Sequence, residues 1–545
     1  MRKKFVLIST VTILIVLGLS MFLNPNWYVL LGIVLAISGL GYYDMFQKKH
    51  ALMRIFPVAG RLRYVMEELR PKIYQYFIES DIDGRPINRI DRNTIYQRAK
   101  KDNDTMPFGT QLDVYTEGYE WLCHSISPKD FSTLNHNPRI VVGNKDCKQP
   151  YSASIYNISA MSYGSLSANA VEAMNAGAKI GGFAHNTGEG GLTPHHLKHG
   201  GDIIWQIGTG YFGCRTEDGN FSSELFKIKV ATPQVKMVEI KLSQGAKPGH
   251  GGILPASKNT PEIAHIRGIE PHTLVASPPY HKAFDTPRGL VHFIKHLRDL
   301  SDGKPIGFKL CIGHKSEFIG ICKAMIEEDI YPDFITIDGA EGGTGAAPQE
   351  FSNYVGAPLL DGLAFIHNML TGLNIRQHIK ILASGKITTG FHIIRAMALG
   401  ADACYSARAM MMAVGCIQAL LCNTNRCPTG VATQDPKLTI GLVVEDKKTR
   451  VANFHKSTVD SVVELLGASG LDTIENITRS HIYRRISFES MLTYREIFPE
   501  YEVGSFLEEI PERYKLDFEN ASPDHWGIAY IGSWSRQRPL GTTPK

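Results

Sequence analysis

A chain of 545 residues with 43% hydrophobic and 20% charged side chains can bury a large core, which excludes the disordered and fibrous classes. The net charge of +5 is small for this length and no long basic run occurs in the body, so nucleic acid is not an expected partner. Six of the nine cysteines are scattered, which suits a reducing compartment better than a disulfide scaffold.

The N-terminus reads as a membrane hairpin. From Phe5 to Tyr43 there is no charged residue. Phe5–Leu23 and Trp27–Tyr43 are two apolar runs, separated by Asn24-Pro25-Asn26, a turn-forming triplet. Each run approaches the length needed to cross about 30 Å of hydrocarbon. Trp27, Tyr42 and Tyr43 sit where interfacial aromatics belong. Arg2, Lys3 and Lys4 precede the first run, and Lys48, Lys49 and Arg54 follow the second, so both ends are expected in the cytoplasm. A cleaved signal peptide begins the same way, but no small-x-small site closes the first run and a second apolar run follows at once.

Residues 46–135 read as a charged, helical juxtamembrane region without chemistry of its own. Within it, Met66 to Phe77 has the pattern of an amphipathic helix interrupted at Pro71.

From about 150 to 430, short apolar runs alternate with helical stretches. The expected strands include Ser154–Ser159, Met237–Leu242, Thr273–Ala276, Ile306–Leu310, Phe334–Ile337, Ile381–Ala383 and Ala403–Ser406. Helical patterns lie between them at Ala168–Ala178, Glu317–Glu328 and His392–Leu399. This alternation predicts an α/β fold, a closed (β/α)8 TIM barrel whose active site is built by the loops after the strands. The loop at Ser384-Gly385-Lys386 and the loop around Ser406-Ala407-Arg408 end the barrel, where such folds hold phosphate on backbone N–H groups. Lys241 to Gly252 puts Gln244 and Lys247 on a glycine-rich loop, a combination suited to a carboxylate or a flavin edge. Asp338 to Ala346 is a second glycine-rich loop. Lys309 lies inside an apparent strand and must face a ligand or an acidic partner.

Cys416, Cys422 and Cys427 follow, spaced C-x5-C-x4-C and closed by Pro428. An odd trio cannot pair off internally, and the spacing lacks the CxxC pair of a zinc site. Thiolates bunched this tightly suit iron. Three buried cysteines acting as small hydrophobes would be the bland alternative.

Several stretches, in one order, carry a family resemblance: Ser159 to Ser165, Asn186 to Gly191, Lys241 to Gly252, Ser277-Pro278-Pro279 with His281, Gly342 to Ala346, and Cys416 to Asp435. From about 140 to 470 the chain resembles the FMN-binding synthase domain of glutamate synthase. The resemblance implies an FMN barrel with a [3Fe-4S] cluster that reduces 2-iminoglutarate, formed from 2-oxoglutarate and ammonia, to L-glutamate. It implies that Cys416, Cys422 and Cys427 hold the cluster, that Gly385, Ser406 and Ala407 hold the FMN phosphate, and that Ala160, Met161 and Ser162 back the flavin ring. Lys309 and Gln244 would lie at the flavin, with Lys309 near its N1–O2 edge. Gln244, Lys247 and Arg267 match the positions that hold 2-oxoglutarate, and Lys309, Gln244 and Lys247 are the expected catalytic side chains.

The chain also departs from the family pattern. Leu192 stands where the family carries a carboxylate, Ile253 where it carries a glutamine, and His250 where it carries an acid. The apolar hairpin occupies the place of the family's glutaminase domain, so ammonia is expected from another source. The electron donor is expected to be a protein, a ferredoxin or an NAD(P)H-linked reductase. The alternatives are an oxidoreductase acting on another amino or oxo acid with a membrane or protein electron partner, and a non-catalytic redox sensor. The expected divisions are a transmembrane hairpin over 1–45, the juxtamembrane region over 46–135, the barrel with its cysteine loop over 136–480, and a C-terminal extension over 481–545.

Overall fold

The computed structural model describes residues 1–526, so the part of the expected C-terminal extension beyond 526 lies outside the described residues. Two compact units divide at Arg89 and Ile90.

In the first unit, Arg2–Phe22 and Trp27–Phe46 form two helices, each long and apolar enough to cross a membrane. Most of their large apolar side chains face outward: Leu7, Leu14 and Phe22 are all exposed. The Asn24 side chain accepts from the Asn26 N–H at 2.9 Å and turns the chain between them. The Ser9 hydroxyl lies 3.4 Å from that of Tyr42, and Phe5 meets the Tyr42 ring edge-on at 5.8 Å. Asp44 ends the apolar run, and Arg61 holds its buried carboxylate through Nη2 at 2.6 Å. The helix Arg61–Ile73 runs through Pro71 instead of breaking there, which corrects the sequence reading. A widened, π-helical turn at Tyr74–Ile78 follows and absorbs the disturbance.

The second unit is a closed barrel of eight parallel strands: β1 (Tyr156–Ile158), β2 (His185–Asn186), β3 (Ile203–Ile207), β4 (Val235–Lys241), β5 (Ile306–Leu310), β6 (Phe334–Asp338), β7 (Lys380–Ser384) and β8 (Ala403–Ser406). Each strand pairs with the next, and β8 closes on β1 through Ser406 and Ile158. Every strand residue of β3, β5 and β6 is buried, as expected for a sheet covered on its outer face by helices. The barrel interior is not purely aliphatic. The buried carboxylate of Glu239 accepts from Asn186 at 2.8 Å and Gln206 at 2.6 Å on one oxygen, and from Thr336 at 2.6 Å on the other. Four strands are thereby tied to one charge, which is tolerated because its lone pairs are satisfied.

Two corrections concern the strands. Thr273–Ala276 is not a barrel strand: Val275–Ala276 pairs antiparallel with Ile253–Leu254 in a separate ribbon. The places in the barrel belong to β2 and β3, which the periodicity passed over. One is only two residues long, and the other turns a polar Gln206 inward, so neither shows a clean apolar run.

Residues from Ile90 onward pack with the barrel unit. Glu120–Leu122 pairs antiparallel with Ile482–Arg485, and Glu120 binds Arg395 at 2.7 Å and the Tyr494 hydroxyl at 2.7 Å. A hairpin of Arg139–Val142 and Tyr151–Ser154 lies at the N-terminal ends of the strands, where the Asn144 N–H donates to Asp333 at 2.8 Å. The opposite end, where the strand-following loops gather, is left to the site.

Candidate active site

The loop after β1 carries Ala160, Met161 and Ser162, with Met161 and Ser162 buried. Gly188, after β2, lies against it at φ +65°, and a Cβ there would come within 2.7 Å of the Ser162 nitrogen. Only glycine permits this approach, so the two loops lie backbone against backbone. The loops after β4 and β6 meet as closely: a Cβ on Gly245 would fall 1.6 Å from the Gly339 carbonyl oxygen. The Gly245 N–H donates to Asp338 at 2.8 Å.

Asp338 also receives Lys309, whose Nζ lies 3.2 Å away. Both are buried, on neighbouring strands β5 and β6. Burial alone would depress the lysine, but Asp338 and Glu239 outweigh it and raise the ammonium above its ordinary range. Lys309 is thus favoured as a cation and held by an acidic partner.

At the other side of the mouth, Glu189 after β2 meets Lys241 at the end of β4, with Nζ 2.7 Å from Oε1. Lys241 also donates to the Gln244 amide oxygen at 2.7 Å. Lys247 is buried and donates to the Ala346 carbonyl at 3.0 Å. Burial lowers it to about 8, with Glu189 opposing the shift. Arg267 is buried too. Its Nη2 donates to the Tyr163 carbonyl at 3.0 Å, its guanidinium lies 5.1 Å from the Phe212 ring centre, and its Nε has no hydrogen-bond partner. Burial pulls it down to about 10, again against Glu189. Burial would push the Glu189 carboxyl up, but Lys241, Lys247 and Arg267 together hold it below the usual range. Gln244, Lys247 and Arg267, expected from the sequence, are thus gathered on one side. Glu189 and Lys241, which gather them, were not singled out; a charged residue beside a glycine at a strand end was the available signal. His281 buttresses the group, bonding the Lys241 carbonyl at 2.9 Å and the Tyr211 hydroxyl at 3.1 Å.

Gly385 and Ser406 lie buried at the ends of β7 and β8, with Ala407 following. The Ser406 hydroxyl donates to the Ile387 carbonyl at 2.7 Å, so it ties the two loops together.

The cysteine loop follows the short helix Arg408–Ala413. The Tyr96 hydroxyl donates to the Cys416 carbonyl at 2.8 Å, and the Gln418 N–H approaches the Cys416 sulfur at 3.4 Å. The Cys427 sulfur lies 3.5 Å from the Thr429 hydroxyl. Burial drives the Cys416 thiol up to about 12 and raises that of Cys422. At Cys427, burial is outweighed by the Thr429 hydroxyl and by backbone donors at Ala432, Thr429 and Val431, and the thiol falls below its ordinary value. The three sulfurs act on one another's charge. Among the described residues, no three His, Cys, Asp or Glu side chains converge as ligands of a single ion, so the trio stands as neighbours and not as a formed metal centre. Free thiols with N–H and O–H donors aimed at sulfur are the donor set that an iron–sulfur cluster requires.

Residues 91–472 match the family model described as the conserved region in glutamate synthase. The chain belongs to the glutamate synthase family. It is 38% identical over 481 residues to the glutamate synthase large subunit-like protein YerD of Bacillus subtilis, covering 81% of this chain and 91% of that one. It is 36% identical over 321 residues to the archaeal glutamate synthase [NADPH] of Methanocaldococcus jannaschii, covering 59% of this chain and 60% of the relative's length. A solved structure of mandelate oxidase overlaps 78% of this chain and 98% of its own at 12% identity, but at a TM-score of 0.41 the likeness carries no weight for function.

Proposed function

We propose that this chain is an FMN- and iron–sulfur-containing oxidoreductase that reduces 2-iminoglutarate, formed from 2-oxoglutarate and ammonia, to L-glutamate. The carrying observation is a charge count: three cations, Lys241, Lys247 and Arg267, act on one carboxylate, Glu189, and leave two positive charges. A dianionic dicarboxylate matches that excess, and charge-assisted contacts are the strong ones.

FMN, when bound, supplies the hydride. The chain's own residues would do the rest. Ala160, Met161 and Ser162 with Gly188 back the ring, and the backbone at Gly385, Ser406 and Ala407 receives the phosphate. Lys309 supplies a cation to the ring, and Asp338 keeps that lysine in place. Gln244, Lys247 and Arg267 orient the substrate. Cys416, Cys422 and Cys427 hold a [3Fe-4S] cluster, refilled by a ferredoxin or an NAD(P)H-linked reductase. Ammonia comes from another protein or from solution. The two apolar helices support a membrane anchor, and the basic residues on both flanks, Arg2 to Lys4 and Lys48 to Arg54, support a barrel on the cytoplasmic side.

A second reading, an oxidoreductase for a different oxo or amino acid, is favoured by Leu192. This residue stands where the family carries a carboxylate, so an acidic side chain is lost from the place that links the sites. The deciding experiment is anaerobic mixing of photoreduced holoprotein with a panel of 2-oxo acids and ammonium. The proposal expects flavin reoxidation to be fastest with 2-oxoglutarate. Faster reoxidation by an apolar 2-oxo acid establishes the second reading, and no reoxidation by any of them removes both.

A further inference from the structure

Lys258 closes a short helical turn, Ala256–Lys258, and the residue is only 2% exposed. Its Nζ donates to the Ser165 carbonyl at 2.8 Å. Among the described residues no Asp or Glu forms an ion pair with it; burial disfavours its charge, and the sulfurs of Cys422 and Cys427 are near enough to oppose that. A buried ammonium without a counter-charge is costly, and a carbonyl oxygen does not neutralise it. As ligands of iron the two sulfurs are thiolates, and they are the anions that can.

The surroundings hold this arrangement in place. The carbonyl of Ser257, one residue earlier, accepts from the Asn425 side chain at 3.0 Å, so the turn bearing Lys258 is tied to the cysteine loop. Gln434, beyond the last cysteine, donates to the carbonyls of Gly164 at 3.1 Å and Leu166 at 2.8 Å, on either side of Ser165. Ser167 N–H donates to the Val431 carbonyl at 2.9 Å. Lys258 therefore stands where the cysteine loop meets the loop that follows β1.

We infer that Lys258 is the fixed counter-charge of the Cys422 and Cys427 thiolates and tunes the reduction potential of the cluster they hold. The inference rests on the cofactor assignment proposed above. Reduction adds one electron to the centre and, with it, one negative charge. A cation buried beside two of the three ligands stabilises that reduced state more than the oxidised one, and net charge is a main lever on cluster potential. Lys258 touches no substrate; it is a positioning and tuning residue.

The test uses detergent-solubilised holoprotein prepared anaerobically, with Lys258→Met and Lys258→Arg variants. Dithionite supplies the electrons in a redox titration followed by spin resonance for the cluster and by absorbance for the flavin. Lys258→Met is expected to keep its iron and to shift the one-electron equilibrium of the cluster about tenfold toward the oxidised form. That corresponds to a midpoint about 59 mV lower. Lys258→Arg should stay near wild type, and the flavin midpoint should move less than the cluster's. Loss of iron in Lys258→Met but not in Lys258→Arg also supports the counter-charge role. A wild-type cluster midpoint in Lys258→Met overturns the inference and leaves the cofactor assignment standing, as does loss of iron in both variants. Wild-type protein without iron overturns the cofactor assignment and the inference with it.

Discussion

Glu189 and Lys241 meet at 2.7 Å across the mouth of the barrel, although they stand fifty-two positions apart in the sequence. The contact exists because β2 and β4 flank β3 and point their trailing loops to the same end. Around this pair Lys247 and Arg267 are held with less charge compensation than they need. Such a site is strained toward an anionic ligand, and its behaviour under substitution follows from the count.

Replacing the hub tests the count directly. Glu189→Gln leaves Lys241, Lys247 and Arg267 without a carboxylate in a partly dry site. Breaking a buried pair in this way typically costs about 3 kcal/mol. The variant should unfold at lower temperature or denaturant concentration than wild type. Added 2-oxoglutarate should recover more stability in the variant than in wild type, because the ligand then supplies the missing charge. Equal unfolding midpoints would remove Glu189 from the centre of the site.

Lys247 sets a pH dependence. With its proton leaving near 8, the cation is present at pH 7 and fading at pH 9. Binding of a dicarboxylate should therefore weaken across that interval, by up to about tenfold per pH unit beyond the midpoint. A titration of 2-oxoglutarate against bound-flavin absorbance at several pH values measures it. For stability the sign is opposite. An unfolded lysine keeps its proton to about 10.4, so between pH 8 and that point the unfolded chain binds more protons. This group then makes the folded state more stable as pH rises. A Lys247→Met variant should flatten both effects.

Arg267→Leu should leave one substrate carboxylate unpaired. The expected loss is about 2–4 kcal/mol of binding, or roughly 30- to 1000-fold in affinity. FMN content should be unchanged, because Arg267 contacts Tyr163 and Phe212 and lies among the proposed substrate groups. Wild-type affinity in this variant would end the case for a dicarboxylate.

The hairpin makes a separate prediction. Removing residues 1–45 should turn a membrane-bound protein into a soluble, coloured one with the barrel unit intact, since that unit begins at Ile90. Fractionation by sedimentation, with flavin absorbance as the readout, decides it. A truncated protein that still sediments with membranes would place the anchoring elsewhere.

Local features of the chain were enough for the barrel class, the two apolar helices and the cysteine loop. Strands β4 to β8 advertise themselves as buried apolar runs, and C-x5-C-x4-C needs no partner from elsewhere in the sequence. Strands β2 and β3 were hidden because closure, not hydrophobicity, makes them strands: the polar Asn186 and Gln206 are bonded inward to Glu239. Val275–Ala276 has the composition of a barrel strand and is not one, because its partner is Ile253–Leu254. The charge network was beyond the sequence for the same reason. Nothing in the order of residues says that Lys241, Lys247 and Arg267 share Glu189, or that the turn bearing Lys258 is tied to the cysteine loop. A charge acts over a few ångströms of space, and only the closed barrel brings those positions within reach of one another.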